Sequence, residues 1–222
     1  MISLCGKPLC FWTINAALES KSVDRIILST DSPEIQEIGL ALGIQVPTLR
    51  PKHLSQDSTT THQVVIHHLN ELKSDEEYLP DNIIILQPTS PLRTSHDIDM
   101  AIEKFESNKN ADSLVSYTKL PSSLHPSKLM EEKSDGFLTS FFMDETWQSK
   151  LETIQRPWIR NGAAIYITRY PGIFEGIMIG NLMGFEMPWL RSVDIDTPED
   201  LKLAEILLAS QLGKDIEIPK QK

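Results

Sequence analysis

Apolar residues along the N-terminal half fall into two rhythms that take turns: short unbroken runs, and positions spaced to line one face of a helix. Pro8 suits a first helical turn, where a missing amide costs nothing, and the apolar and small residues after it up to Leu18 predict a helix packed on one side. Residues 25–30 read as a strand, because Ile26, Ile27 and Leu28 form the continuous run expected of a parallel strand covered on both faces. Ser32 and Pro33 open a second helix that ends at Gly43. Residues 45–46 predict a short strand, followed by an irregular loop through Arg50 and Pro51 and a helix carrying Val64, Val65, Ile66 and Leu69. The clearest buried strand is 82–86. It runs into Gln87-Pro88-Thr89-Ser90-Pro91, where two prolines forbid helix or central strand. Ser95 with Ile98, Ile102 and Phe105 predicts the next helix, and residues 113–117 the strand after it.

The rhythm breaks over about 119–158. Asp135-Gly136 reads there as a hairpin turn, and Phe137, Phe141, Phe142, Trp147 and Trp158 supply much of the aromatic area. This pattern predicts an arm inserted into the sheet domain, whose aromatics either serve a partner subunit or fold back onto their own domain. Regularity returns as strands at 162–168 and 191–195. Thr197-Pro198-Glu199-Asp200 then starts a helix that runs through Leu208, with a Thr cap, Pro at the first position and acid in the first turn. Residues after Gly213 read as a frayed tail. Strands alternating with helices imply a mostly parallel sheet with helices on both sides, and ligands at the carboxyl ends of the strands.

Charge and composition narrow the function. Lys and Arg number 21 against 31 Asp and Glu, a net charge of −10, so nucleic acid is not an expected partner. With 40% hydrophobic and 23% charged residues, the 222-residue chain can bury a sizeable core. No apolar run approaches the roughly 18–20 residues of a membrane helix, and the first residues lack the pattern of a secretory signal, so a cytoplasmic protein without membrane association is expected. Cys5 and Cys10 match no usual zinc or redox spacing and read as packing residues.

Candidate chemistry gathers at the predicted strand ends. Asp194 and Asp196, two apart on a strand, would direct both carboxylates to one side, and two acids facing one point suit a divalent ion shared with phosphate oxygens. Alternatively, Asp194 faces solvent and Asp196 only helps cap the next helix. Gln87 to Arg93 offers an amide, two hydroxyls and a guanidinium to a polar ligand, or is a rigid proline turn. Arg50, Arg156, Arg160 and Asn161 are further polar groups beside strand ends. His67 and His68, adjacent on a helix, are expected to point to different faces, and His62 lies five from His67, so the His pairing of a zinc helix is absent. No Gly-x-Gly-x-x-Gly, Gly-x-Ser-x-Gly or Walker lysine loop occurs, which argues against a dinucleotide dehydrogenase, an α/β hydrolase and a P-loop ATPase.

Six segments together resemble the acylneuraminate cytidylyltransferases, or CMP-sialic acid synthetases: CGKPLCFWTINAALES from Cys5, DRIILSTD from Asp24, VPTLRP from Val46, ILQPTSPLRT from Ile85, RNGAAIYITR from Arg160 and RSVDIDTPEDLKLAE from Arg191. They stand in the family's order and cover nearly the whole chain. The resemblance implies a single domain over 1–222 with a three-layer α/β/α, Rossmann-like, nucleotide-diphosphosugar-transferase fold. It also implies Mg²⁺ dependence and a homodimer in which the inserted arm crosses to the partner's site. The implied reaction joins CTP to the anomeric hydroxyl of a nine-carbon, sialic-acid-like (nonulosonic) sugar, giving a CMP-sugar and pyrophosphate. Matched residue by residue, Asp194 and Asp196 become the catalytic metal pair, Arg50 the reader of cytosine and Thr61 a ribose contact. Gln87, Arg156, Asn161 and Tyr166 become sugar contacts. A related nonulosonic sugar or a different base stays open.

One element of the resembling family is missing: an opening strand and a Gly-rich basic loop that cradles the triphosphate would precede the segment matching Ile2 to Leu9. The expectation that follows is a late start or a truncated gene, with the chain as written poorly folded or inactive. A remnant that dimerises or binds sugar without turnover is the alternative to the enzyme.

Overall fold

The structure, a computed structural model, describes residues 2–141 and 157–213. Apart from the first, its described α-helices begin where side chains can satisfy the first free amides. A two-residue hairpin, β1 (Ser3–Leu4) and β2 (Lys7–Pro8), leads into α1 (Leu9–Leu18) directly behind Pro8. In α2 (Pro33–Ala41) the Ser32 hydroxyl accepts from the Ile35 amide. Reciprocal capping boxes open α3 (Thr61–Glu76) through Thr60 and Gln63, α4 (Ser95–Ser107) through Thr94 and Asp97, and α5 (Pro198–Gln211) through Thr197 and Asp200. Each such cap contributes on the order of 1 kcal/mol.

The main sheet contains β3 (Asn82–Ile85), β4 (Ser113–Lys119), β7 (Trp158–Arg160), β8 (Tyr166–Arg169) and β9 (Leu182–Glu186). β8 lies between β3 and β4 and runs against both, so β3 and β4 point the same way. β9 joins β4 in parallel, and β7 continues along the edge of β4 that β8 occupies. Ile98, Ala101, Ile102 and Phe105 of α4 pack on Leu114, Ile165 and Ile167 to form the largest core cluster. A second cluster joins Cys10 and Ile14 of α1 to Ile44, and a third joins Leu4 and Leu92 to Ile195, Ala204 and Leu208. Helices laid on a mixed sheet make this an α/β fold.

The predicted strands fare unequally. Residues 25–30 and 45–46 come together, but only as one parallel bridge between Ile27 and Gln45, with the Leu28 amide donating to the Gln45 carbonyl at 2.9 Å. Two short segments with no further ladder partner do not propagate a strand. Residues 191–195 do not form a strand. A 3₁₀ turn, Trp189–Arg191, precedes an irregular segment in which the Ile195 amide donates to the Thr89 carbonyl at 2.8 Å.

The expected hairpin of the arm is present as β5 (Met130–Glu132) and β6 (Leu138–Ser140), turning at Asp135-Gly136. Phe137 is 72% exposed and Phe141 58%, so neither folds back onto the sheet. Phe142, Trp147 and Arg156 lie outside the described residues.

Candidate active site

The carboxyl end of β3 delivers Gln87 into a crossing of four segments. The Gln87 amide N–H donates to the Ala163 carbonyl at 3.1 Å, tying it to the Asn161–Gly162–Ala163–Ala164 stretch. Its side-chain nitrogen donates to the Thr61 hydroxyl at 3.2 Å, at the first turn of α3. Gln87 and Thr61 are therefore neighbours, 26 residues apart in sequence, and both are half-buried. Helix α3 places its N-terminal amides and positive dipole end at this spot, an arrangement that favours anionic ligands.

Beneath the loop lies Arg93. Its side chain is turned inward and donates to the Ala164 carbonyl, to the Thr13 hydroxyl at 2.7 Å and to the Gln87 carbonyl at 3.2 Å. Burial pushes its guanidinium down to about 10, so it stays charged at neutral pH. Thr13 also donates to the Gln87 carbonyl, at 3.4 Å. The sequence reading offered this guanidinium to a ligand; the structure gives it to the backbone, where it fixes the turn that aims Gln87. Ser90, fully buried, points to the other side and donates to Asp194 at 3.3 Å.

Asp194 is half-buried and rests on Gly162, whose φ of +66° and lack of a side chain allow the approach: a Cβ there would collide with the carboxylate. Asp196 is exposed, and its amide donates to Asp200 at 3.2 Å as part of the α5 cap. Among the described residues neither Asp194 nor Asp196 takes part in an ion pair. Asn161 is 4% exposed and its amide is committed: Oδ1 accepts from Ser116 at 2.7 Å and Nδ2 donates to Ser192 at 3.0 Å. Tyr166, half-buried, begins β8 opposite Ile85 and Val115.

Arg50 is tied to the Ser29–Thr30 segment. Its amide donates to the Thr30 carbonyl at 2.8 Å and its guanidinium to the Ser29 carbonyl at 3.0 Å, while Nε is enclosed without a hydrogen-bond partner. Ser29 also meets His68 of α3, whose imidazole is pushed down from its ordinary value by burial, against the upward pull of Glu71. From spacing alone this histidine offers no zinc-helix pairing, and Thr13 carries no motif. A buried polar residue on an otherwise apolar helix face was the available signal for both.

Gln87, Thr61, Asp194 and Gly162 are thus arranged around the end of one strand, and Arg50 is linked to α3 through Ser29 and His68. The sequence profile described as cytidylyltransferase matches residues 1–173. The chain belongs to the cytidylyltransferase family. It is 31% identical to the CMP-N,N'-diacetyllegionaminic acid synthase of Legionella pneumophila over 92% of its own length and 87% of that protein. It is 28% identical to the pseudaminic acid cytidylyltransferase of Campylobacter jejuni, over 93% and 88% of the two chains. The N-acylneuraminate cytidylyltransferase of Streptococcus agalactiae matches at 30% over 90% of this chain, which spans 47% of that longer protein. In three dimensions this cytidylyltransferase superposes on a CMP:2-keto-3-deoxy-manno-octonic acid synthetase complexed with CTP with a TM-score of 0.65. That match has 16% identity and covers 95% of this chain and 91% of the other, so it supports the shared fold.

Proposed function

We propose that this cytidylyltransferase transfers CMP from CTP to the anomeric hydroxyl of a nonulosonic acid, releasing pyrophosphate. The observation that carries this reading is the meeting of Gln87 and Thr61 at the carboxyl end of β3, in a chain similar to enzymes named for legionaminic, pseudaminic and acylneuraminic acids. In the reaction the sugar oxygen attacks the α-phosphorus in line, a new P–O bond forms and the bond to the β-phosphate breaks. The hydroxyl proton leaves to solvent.

Each side chain has a role in that step. Arg50, with an enclosed and unpartnered Nε, offers a donor to the acceptor edge of cytosine. Thr61 contacts the ribose, and Gln87 and Tyr166 orient the sugar. Arg156, outside the described residues, would supply a guanidinium for the sugar carboxylate. Asn161 enters as a positioning residue, since its committed amide holds Ser116 and Ser192 around the Asp194 segment. Asp194 and Asp196 would hold Mg²⁺. Their donor set fits, being two carboxylates with no cationic side chain paired to either among the described residues. Such an ion supplies charge neutralisation on the phosphates when bound.

A homodimer and a cytoplasmic setting complete the proposal. The exposed Phe137, Leu138 and Phe141 of the hairpin, with Trp158 and Ile159 on β7, provide an apolar surface for a second copy. Cys10 is a buried free thiol, as a reducing compartment favours, and no helix among the described residues is long and apolar enough to cross a membrane.

The test is pyrophosphate release from CTP with a panel of nonulosonic acids, with the CMP-sugar identified by mass. Turnover that needs Mg²⁺ and is lost in Asp196→Ala is expected. Equal turnover with UTP, or none with any nonulosonic acid, would overturn the reading.

A further inference from the structure

The middle of α3 brings three ligating side chains together away from the strand ends. Glu71 follows His67 by four residues and His68 by three, and both spacings share one helix face. The two imidazoles, expected to diverge, therefore converge on one carboxylate. His68 Nδ1 lies 2.9 Å from Glu71 Oε2 and His67 Nε2 lies 3.4 Å from Glu71 Oε1. One atom from each residue falls within 4.8 Å of the others.

The arrangement is poorly satisfied as a plain hydrogen-bond cluster. His67 Nε2 is enclosed yet makes no hydrogen bond, a condition that costs about 1–3 kcal/mol when nothing compensates it. The far side of His68 is held by Ser29, 2.7 Å from Nε2 to Oγ. That contact is the outer support a metal-bound imidazole has: Nε2 is anchored to a neighbour, while Nδ1 faces Glu71, whose carboxylate would move to share an ion with it. Ligands at about 2.1 Å in a tetrahedron lie about 3.4 Å from one another; the two imidazoles stand 2.9 and 3.4 Å from the Glu71 carboxylate, and all three ligand atoms lie within 4.8 Å of one another. Thr48 flanks the cluster, its hydroxyl 3.5 Å from Glu71 Oε1.

We propose that His67, His68 and Glu71 form a binding site for a divalent transition-metal ion of the zinc type, with water as the fourth ligand. Two imidazole nitrogens and one carboxylate select such an ion over Mg²⁺, which takes oxygen ligands. The site is thus distinct in chemistry from the Asp194 and Asp196 pair. Because the Ser29 carbonyl accepts from Arg50 at 3.0 Å, the ion would also stiffen the segment that carries Arg50.

The full chain, stripped with a chelator, is titrated with Co²⁺ and followed by its visible absorption, then by displacement with Zn²⁺. One ion per chain is expected, and Zn²⁺ should raise the melting temperature. Ser29→Ala should weaken binding about tenfold, and His67→Ala or Glu71→Gln about 100-fold or more. His96→Ala, at an exposed position on α4, should bind as the parent does. Circular dichroism of the metal-free variants separates a lost ligand from a lost fold. No cobalt spectrum at one equivalent, or a folded His67→Ala that binds as tightly as the parent, would overturn the proposal.

Discussion

The Gln87 side chain donates to the Thr61 hydroxyl across 3.2 Å, joining the end of β3 to the first turn of α3. One residue assigned to the sugar and one assigned to the nucleotide therefore hold each other in place. Gln87→Ala should lower kcat/KM for the sugar about tenfold, the worth of one directed hydrogen bond. Thr61→Ala should act chiefly on CTP. Because each positions the other, the double variant should lose less than the product of the two single losses. Strictly multiplicative losses in steady-state kinetics would show that the contact plays no part in either site.

Arg93 is the buried support of the same turn. Replacing it by Met removes donors from the Ala164 and Gln87 carbonyls and from Thr13. Two buried acceptors and one half-buried one lose a charged partner, so urea unfolding should register a loss of about 3–5 kcal/mol. Arg93→Lys keeps the charge but cannot span all three, and should fall between parent and Met. A loss below about 1 kcal/mol for Arg93→Met would mean that water replaces the guanidinium at little cost.

These two residues also show where the sequence was readable. Gln87 stands at the end of an unbroken apolar run closed by prolines, so the run marks the strand and the prolines mark its end. The outward Gln and inward Arg of the same loop differ only in what lies beneath them, and local spacing carries no record of that. Caps behave like Gln87: Ser32 and Thr197 act through amides within a turn, and both helices start as expected. Pairing partners behave like Arg93. β9 lacks the β-branched run of a buried strand and forms because Leu182, Met183 and Phe185 lie alongside β4, with Gly184 against the Tyr117 ring. Residues 191–195 show the converse, an apolar alternation at Val193 and Ile195 with no strand beside it. The shared side expected of Asp194 and Asp196 rests on that strand; without it, Asp194 lies on Gly162 and Asp196 beside the α5 cap.

Acid stability should depend on Asp97. Burial raises its carboxyl, but hydrogen bonds from Arg191 and Thr94 more than offset this and leave it below the ordinary carboxylate value. Arg191 reaches it twice, at 2.7 and 2.9 Å. With the folded value below the unfolded one, the stabilisation is complete above about pH 4 and is lost as pH falls through the folded value. Arg191→Gln removes the main opposing cause, so the carboxyl should rise and the acid-unfolding midpoint should move to higher pH. Since Asp97 is buried and still caps α4, the variant should also lose about 2–3 kcal/mol at neutral pH. An acid midpoint unchanged by circular dichroism would remove Asp97 from this role.

Gly162 offers the sharpest separation of backbone strain from site geometry. Both Gly162 and Gly136 have positive φ, +66° and +82°, so alanine at either position carries a backbone cost of about 1–2 kcal/mol. They differ in what the new Cβ meets. At Gly136, in the hairpin turn, nothing lies within 4 Å. At Gly162 it meets the Asp194 carboxylate, which must then leave its position beside Ser90. The two variants should therefore lose similar stability in denaturant, while only Gly162→Ala should lose activity. A displacement of about 1 Å at a reacting centre costs about 100-fold, so kcat for Gly162→Ala should fall by that order with the fold intact. If Gly136→Ala and Gly162→Ala retained equal kcat, the position of Asp194 would be immaterial to turnover, and its assignment to the reaction would have to be withdrawn.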